Sequence, residues 1–132
     1  MWVFTRSEAV EKLTLDDFNA YCGSLLHAHL VRQWGGAYVW KIDAKMFALA
    51  MDKPGGLFIT FKASEIGYEI MKDMDGLRPA PYLASRGMKW IQHYAPPGLD
   101  DASLKEHLAA SYSMVSKKLT KRRQKELGLN QD

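Results

Sequence analysis

With 132 residues, 47% hydrophobic and 25% charged, the chain has the size and proportions of one soluble globular domain, which excludes a collagen, a disordered tail and a multidomain enzyme. A single cysteine, Cys22, excludes an intramolecular disulfide framework, and no apolar run approaches the roughly 20 residues of a membrane-spanning helix. The net charge is +3, yet six basic and no acidic residues fall between Lys117 and Lys125, so the other 12 basic and 15 acidic residues leave the body at −3.

Residues 1–13 show no sustained period and are expected to form a loosely held N-terminal extension, with residues 14–132 as a single domain. The opening Met1-Trp2-Val3-Phe4-Thr5-Arg6 turns polar too soon for a signal peptide, and a cytoplasmic protein with no membrane partner is expected. Thr14 and Asp17 stand three apart as a capping box, and Leu13 can staple onto Phe18. They start a helix predicted to run to about Leu26, with Phe18, Tyr21, Cys22 and Leu25 as its apolar stripe. Cys22 within that stripe reads as an inert buried thiol.

From Leu30 to Lys62, short β-branched and aromatic runs are separated by Gly35-Gly36, Asp43-Ala44 and Asp52-Lys53-Pro54-Gly55-Gly56, which predicts a four-stranded antiparallel meander. Two-residue turns would pair Trp34 with Ala37 and Ile42 with Lys45, and a five-residue loop would pair Met51 with Leu57. That register puts Val31, Tyr38, Trp40, Ile42, Phe47, Leu49, Met51, Leu57, Ile59 and Phe61 on a core face. Leu30, Arg32, Trp34, Val39, Lys41, Met46, Ala48, Ala50, Phe58, Thr60 and Lys62 fall on the other face. Ser64 can cap a second helix whose Ile66, Ile70 and Met74 recur every fourth residue, with Gly76 as a left-handed stop. Residues 77–87 read as an irregular proline-stiffened loop and residues 88–94 as another strand, with Trp90 and Tyr94 on one face. After Pro96-Pro97-Gly98, Asp100 or Asp101 caps a third helix with the stripe Leu104, Leu108, Tyr112, Val115 and Leu119. The expected fold is a two-layer α+β arrangement, an antiparallel sheet packed against helices in the order α-β(3-4)-α-β(1-2)-α.

No catalytic constellation emerges, so no enzyme activity and no cofactor is expected. His27 and His29 lack further metal ligands nearby, and neither glycine pair leads from a strand into a helix as a phosphate cradle would. The acidic pairs Asp16-Asp17 and Asp100-Asp101 sit at helix starts, where capping accounts for them. What remains is positive charge. Lys117, Lys118, Lys121, Arg122 and Lys125 cluster near the C-terminus, and the spacing of Lys118, Lys121, Arg122 and Lys125 makes one ridge on a continuous helix. Arg32, Lys41 and Lys62 share the open sheet face with Trp34 and Phe58, a strip able to follow a phosphate backbone beside aromatic platforms.

Lys45-Met46-Phe47-Ala48, Phe61-Lys62, Arg78-Pro79-Ala80-Pro81-Tyr82 and Ser111-Tyr112 followed by Val115 occur in an order that resembles the MmcQ/YjbR family of small bacterial proteins. The resemblance implies a CyaY-like, secretion-chaperone-like α+β fold. It also implies a DNA-binding protein with a double-wing motif, whose wings would be the turns at Asp43-Ala44 and Lys53-Pro54-Gly55. Binding to DNA is expected to be weakly specific and dominated by residues 117–125. The alternative, which the secretion-chaperone likeness implies, is a protein-interaction or homodimerisation module in which Leu30, Trp34, Val39, Met46 and Phe58 dock a partner.

Overall fold

The computed structural model describes residues 13–83 and 86–132, so the expected N-terminal extension lies, except for Leu13, outside the described residues. Helix α1 (Leu15–Gly23) starts at the capping box: Thr14 Oγ1 accepts from the Asp17 amide and Asp17 Oδ2 from the Thr14 amide, both at 3.1 Å. Those two bonds hold the Asp17 carboxyl below its ordinary pKa. Leu13 and Phe18 both enter the core, consistent with the staple. The helix stops three residues earlier than predicted, at a turn where Ser24 Oγ donates to the Tyr21 carbonyl at 2.6 Å.

Four strands follow, β1 (Ala28–Gln33), β2 (Ala37–Ile42), β3 (Lys45–Lys53) and β4 (Gly56–Lys62), then helix α2 (Glu65–Met71). Strands β5 (Leu77–Pro79) and β6 (Trp90–His93) precede helices α3 (Asp101–Ser116) and α4 (Lys121–Leu127). The sheet is antiparallel throughout and six-stranded, in the order β1-β2-β3-β4-β6-β5. Helices α1 and α3 pack on the central strands, and α2 packs beside β5 and β6. Strand β5 is the element that the loop reading of residues 77–87 omits. It forms the outer edge, where Pro79 costs no ladder bond because its missing N–H would face away from the sheet.

The register departs from the predicted one at three places. Trp34, Gly35 and Gly36 all take positive φ (48°, 76° and 108°), so the first turn holds three residues and Gln33, not Trp34, pairs with Ala37. At the last hairpin the ladder runs on through Asp52 and Lys53 to a two-residue turn at Pro54-Gly55, which pairs Met51 with Phe58. Between them, Ile42 does pair with Lys45 as expected, but a β-bulge follows and Trp40 faces Ala48 instead of Phe47. The bulge turns Phe47, Ala48 and Ala50 into the core and sends Leu49 and Met51 to the other face, as the shifted hairpin does Val31. Trp40, Phe47 and Ile59 are buried among the helices, as expected.

Two further expectations are corrected. Ile66 and Ile70 are 75% and 64% exposed, and Met71 is the residue of α2 that enters the core. A fourfold repeat on a two-turn helix cannot say which side faces inward. The basic segment, predicted as one helix face, is broken at residues 117–120. Thr120 caps α4, and buried Gln124 turns its Nε2 back onto the Lys117 and Leu119 carbonyls at 3.3 and 2.7 Å. These bonds satisfy carbonyls left over at the end of α3 and make the break a defined corner.

Burial pushes the Cys22 thiol far above its ordinary range, and the residue has no exposed surface. We expect a thiol-specific aromatic disulfide reagent to leave Cys22 unmodified in the native protein and to react fully once urea unfolds it. Rapid modification without denaturant would contradict this packing. Gly76 has φ of +90°, and a Cβ there would stand 2.1 Å from the Ala95 carbonyl oxygen and 2.7 Å from the Gly98 nitrogen. Both neighbours are backbone, so Gly76→Ala is expected to destabilise by more than about 1 kcal/mol in urea unfolding; a neutral change would refute the tight approach.

Candidate functional site

The sheet face away from α1 and α3 is built by the outward residues of six strands. Its central row runs Val31, Val39, Leu49, Thr60, Gln92 and Arg78 across the sheet, from apolar through polar to cationic. At one end Lys41 pairs with Met46, and Lys62 pairs with Trp90. At the other end Met51 pairs with Phe58. Among the described residues Asp52 is the one acidic strand residue, and its pairing with Leu57 puts it on the helix side. The face away from α1 and α3 is buried in its middle, at Val39, Leu49, Thr60, Gln92 and Trp90; around them it carries Lys41, Lys53, Lys62 and Arg78 and, among the described strand positions, no carboxylate.

Lys62 is half-buried, with Nζ 5.8 Å from the Trp90 ring centroid. Burial, and then repulsion from Lys118, holds its pKa below the ordinary lysine value. Lys118 thus connects the α3–α4 corner to the lysine end of the sheet. Arg78 is fixed from several sides. Its Nε donates to Gln92 Oε1 at 2.7 Å, and its guanidinium lies 4.3 Å from the Tyr94 ring centroid and 5.9 Å from that of Phe58.

Beside Arg78 the chain after β5 borders a half-open cavity of about 780 Å³. Leu49, Met51 and Phe58 form an apolar floor, Trp34 at the hairpin tip closes one side, and Lys53 and Arg86 stand at the rim. From the sequence neither Arg86 nor Gln92 stands out, Arg78 enters only within the family motif, and Lys53 only in the expected second wing. The signal in the chain is Leu77-Arg78, an inward apolar residue followed by an outward cation, which the flanking prolines obscure.

The sequence-derived cations are only partly brought together. Lys41 and Lys62 share the lysine end of the sheet face, and Lys118, in the α3–α4 corner, is near enough to Lys62 to repel it. Arg32 does not join them, because the three-residue turn puts it on the helix side opposite Tyr38. There its Nε and Nη2 donate to the Gly36 carbonyl at 3.2 and 3.0 Å, and its guanidinium stacks 3.8 Å from the Tyr38 centroid. Lys117 caps the end of α3, whereas Lys121, Arg122 and Lys125 belong to α4. Arg122 pairs with Glu126 at 3.3 Å. Trp34 sits in the turn and Phe58 in the cavity floor, so both expected aromatic platforms flank the same space. The five residues expected to dock a partner do not form one patch. Val39 is fully buried, and Leu30 pairs with Trp40 on the helix side. Among the described residues no three His, Cys, Asp or Glu side chains gather as a metal site.

The turn at Asp43-Ala44 is tied down. Arg123 Nε and Nη2 reach Asp43 Oδ2 and Oδ1 at 2.8 and 3.1 Å, and its Nη1 reaches Glu126 at 3.1 Å. This fork holds the Asp43 carboxyl below its ordinary value of 3.8. A depressed carboxyl pKa stabilises the fold above the unfolded value and loses that contribution as pH falls through the folded one. The clasp is therefore expected to open only in acid, below pH 3.8. Following the Asp43 carboxyl by NMR should give a titration midpoint below that of the Arg123→Gln variant; equal midpoints would show that the fork does not hold in solution.

The YjbR family model matches residues 23–114. The chain belongs to the YjbR family. The crystal structure of Deinococcus radiodurans protein DR2400, which carries the family-model domain DUF419, is similar in fold, with a TM-score of 0.77 and 25% identity over 89% of each chain. No curated protein matches the sequence. The motifs that mark this YjbR chain divide by role. Phe47 and Ala48 form the bulge, and Ser111 and Tyr112 lock it from α3: Ser111 Oγ donates to the Phe47 carbonyl, and the Tyr112 ring meets the Phe47 ring edge to face at 5.3 Å. Arg78, Ala80, Pro81 and Tyr82 instead line the cavity.

Proposed function

We propose that this protein is a non-catalytic DNA-binding protein that holds the phosphate backbone on the open face of its sheet. One observation carries the reading: Lys41, Lys62 and Arg78 stand half-buried around a sheet face whose described strand positions hold no carboxylate, although the chain outside residues 117–125 is net acidic. Cations displace counterions from phosphates only where carboxylates do not compete for them, so segregation matters more than the total of +3. Phe58 and Trp34 add flat apolar surface on the Arg78 side of the face. Lys118, near enough to Lys62 to perturb it, extends the strip toward α4. The site so proposed is Lys41, Lys62, Arg78 and Lys118, with Lys117, Lys121, Arg122 and Lys125 as a secondary set. The Asp43 turn, occupied by Arg123, is not expected to act as a wing.

Fluorescence anisotropy with a labelled random duplex across a salt series tests this reading. Lys41→Gln with Lys62→Gln should weaken binding and flatten the log–log salt slope by about 0.9 for each phosphate that is no longer neutralised. Lys121→Gln with Arg122→Gln should have a smaller effect. The reverse ranking would move the interface to α4, and the absence of salt-dependent binding by the parent would overturn the reading. Thermal melts of both variants guard against loss of fold.

A further inference from the structure

The cavity bordered by residues 81–83 has features that a backbone-tracking strip does not need. We propose that it is a binding site for a small organic anion with a flat apolar body, an aryl carboxylate by chemical class. The volume of about 780 Å³ lies within the roughly 300–1,000 Å³ of small-molecule sites. Its floor of Leu49, Met51 and Phe58 offers only apolar contact, which favours a flat hydrocarbon body. Apart from Lys53 and Arg86 at the rim, its polar contacts lie on one side, where Thr60 and Gln92 lead to Arg78 along the central row.

Arg78 is pre-organised for an anion. Gln92, itself 6% exposed, takes Nε, while Tyr94 and Phe58 flank the guanidinium. The two Nη groups have no hydrogen-bond partner among the described residues, and a carboxylate can accept from both at once. No aspartate or glutamate is among the described residues that line the cavity. An uncharged apolar ligand would therefore desolvate Arg78 without pairing it, and a cation would meet like charge. An apolar body carrying one anionic group satisfies both halves of the site.

The test uses the full chain and three acids, 2-naphthoate, indole-3-acetate and 4-phenylbutyrate, each beside its primary amide. Binding is followed by NMR at the Thr60 amide and the Gln92 side-chain amide. At least one acid is expected to shift both resonances with a Kd below about 1 mM, and its amide to bind at least about tenfold more weakly. Arg78→Gln should abolish the acid–amide difference, and Met51→Trp, which fills the floor, should abolish binding of both. Equal affinities for acid and amide, or shifts confined to other residues, would overturn the assignment. So would the failure of every acid to shift these resonances. A short thymidine oligonucleotide that shifts them when no acid does would also overturn it, and would join the cavity to the nucleic-acid strip. The duplex experiment is independent, so either reading can fail alone.

Discussion

Truncation of Phe47 to alanine is expected to lower stability by about 3–5 kcal/mol, measured as a shift of the urea unfolding midpoint at constant m-value. Phe47 is fully buried, meets the Tyr112 ring edge to face, and sits at the bulge where β3 exchanges the two sheet faces. The cost combines the lost transfer of an aromatic ring with a cavity that cannot collapse readily, because α3 is held to the strand beside it by Ser111. Met51→Ala is the control. A continuous register would bury Met51 beside Phe47, whereas the bulged one puts it half-buried on the open face. Its loss should be well under half that of Phe47→Ala, and comparable losses would refute the bulge.

That comparison shows why the sheet was only partly legible from sequence. The ends of the elements follow local chemistry: Thr14 and Asp17 close their capping box, and Asp100 Oδ1 accepts from the Ser103 amide at 2.8 Å as an N-cap. Strand register depends instead on turn length and bulges. From Met46 to Met51 every residue is apolar, so alternation cannot choose between Phe47-Leu49-Met51 and Phe47-Ala48-Ala50 as the inward set. The choice is made by tertiary packing, since α3 approaches closely enough that small Ala48 and Ala50 fit beneath it.

The candidate site follows the same division. Lys41 and Lys62 were legible because both lie far enough from the misjudged turns to keep their face. Arg32 was misplaced because the one-residue change at Trp34 reverses every side chain of β1. Arg78 was missed as an outward cation because the prolines around it read as loop, although an edge strand tolerates proline. The ridge across residues 118–125 failed on a tertiary term, the return of the Gln124 side chain to the last carbonyls of α3.

Ser111→Ala is expected to cost about 2–6 kcal/mol, more than its small volume suggests, because two backbone groups would lose their partner. The β3–β4 ladder ends at the pair Ala48 and Phe61. At the next position the Ser111 hydroxyl replaces the missing rung, accepting from the Lys62 amide at 2.9 Å and donating to the Phe47 carbonyl at 2.6 Å. Ser111 is fully buried, so removing its oxygen leaves a donor and an acceptor shielded from water, at about 1–3 kcal/mol each. Lys62 also carries a cation of the proposed strip, so the loss should reach the open face. Amide hydrogen exchange at Lys62 is expected to rise in Ser111→Ala even where the rest of β4 stays protected. If that amide remains as protected as in the parent and the urea midpoint does not move, water or a shifted backbone has replaced the hydroxyl, and the rung built by α3 is not what fixes Lys62.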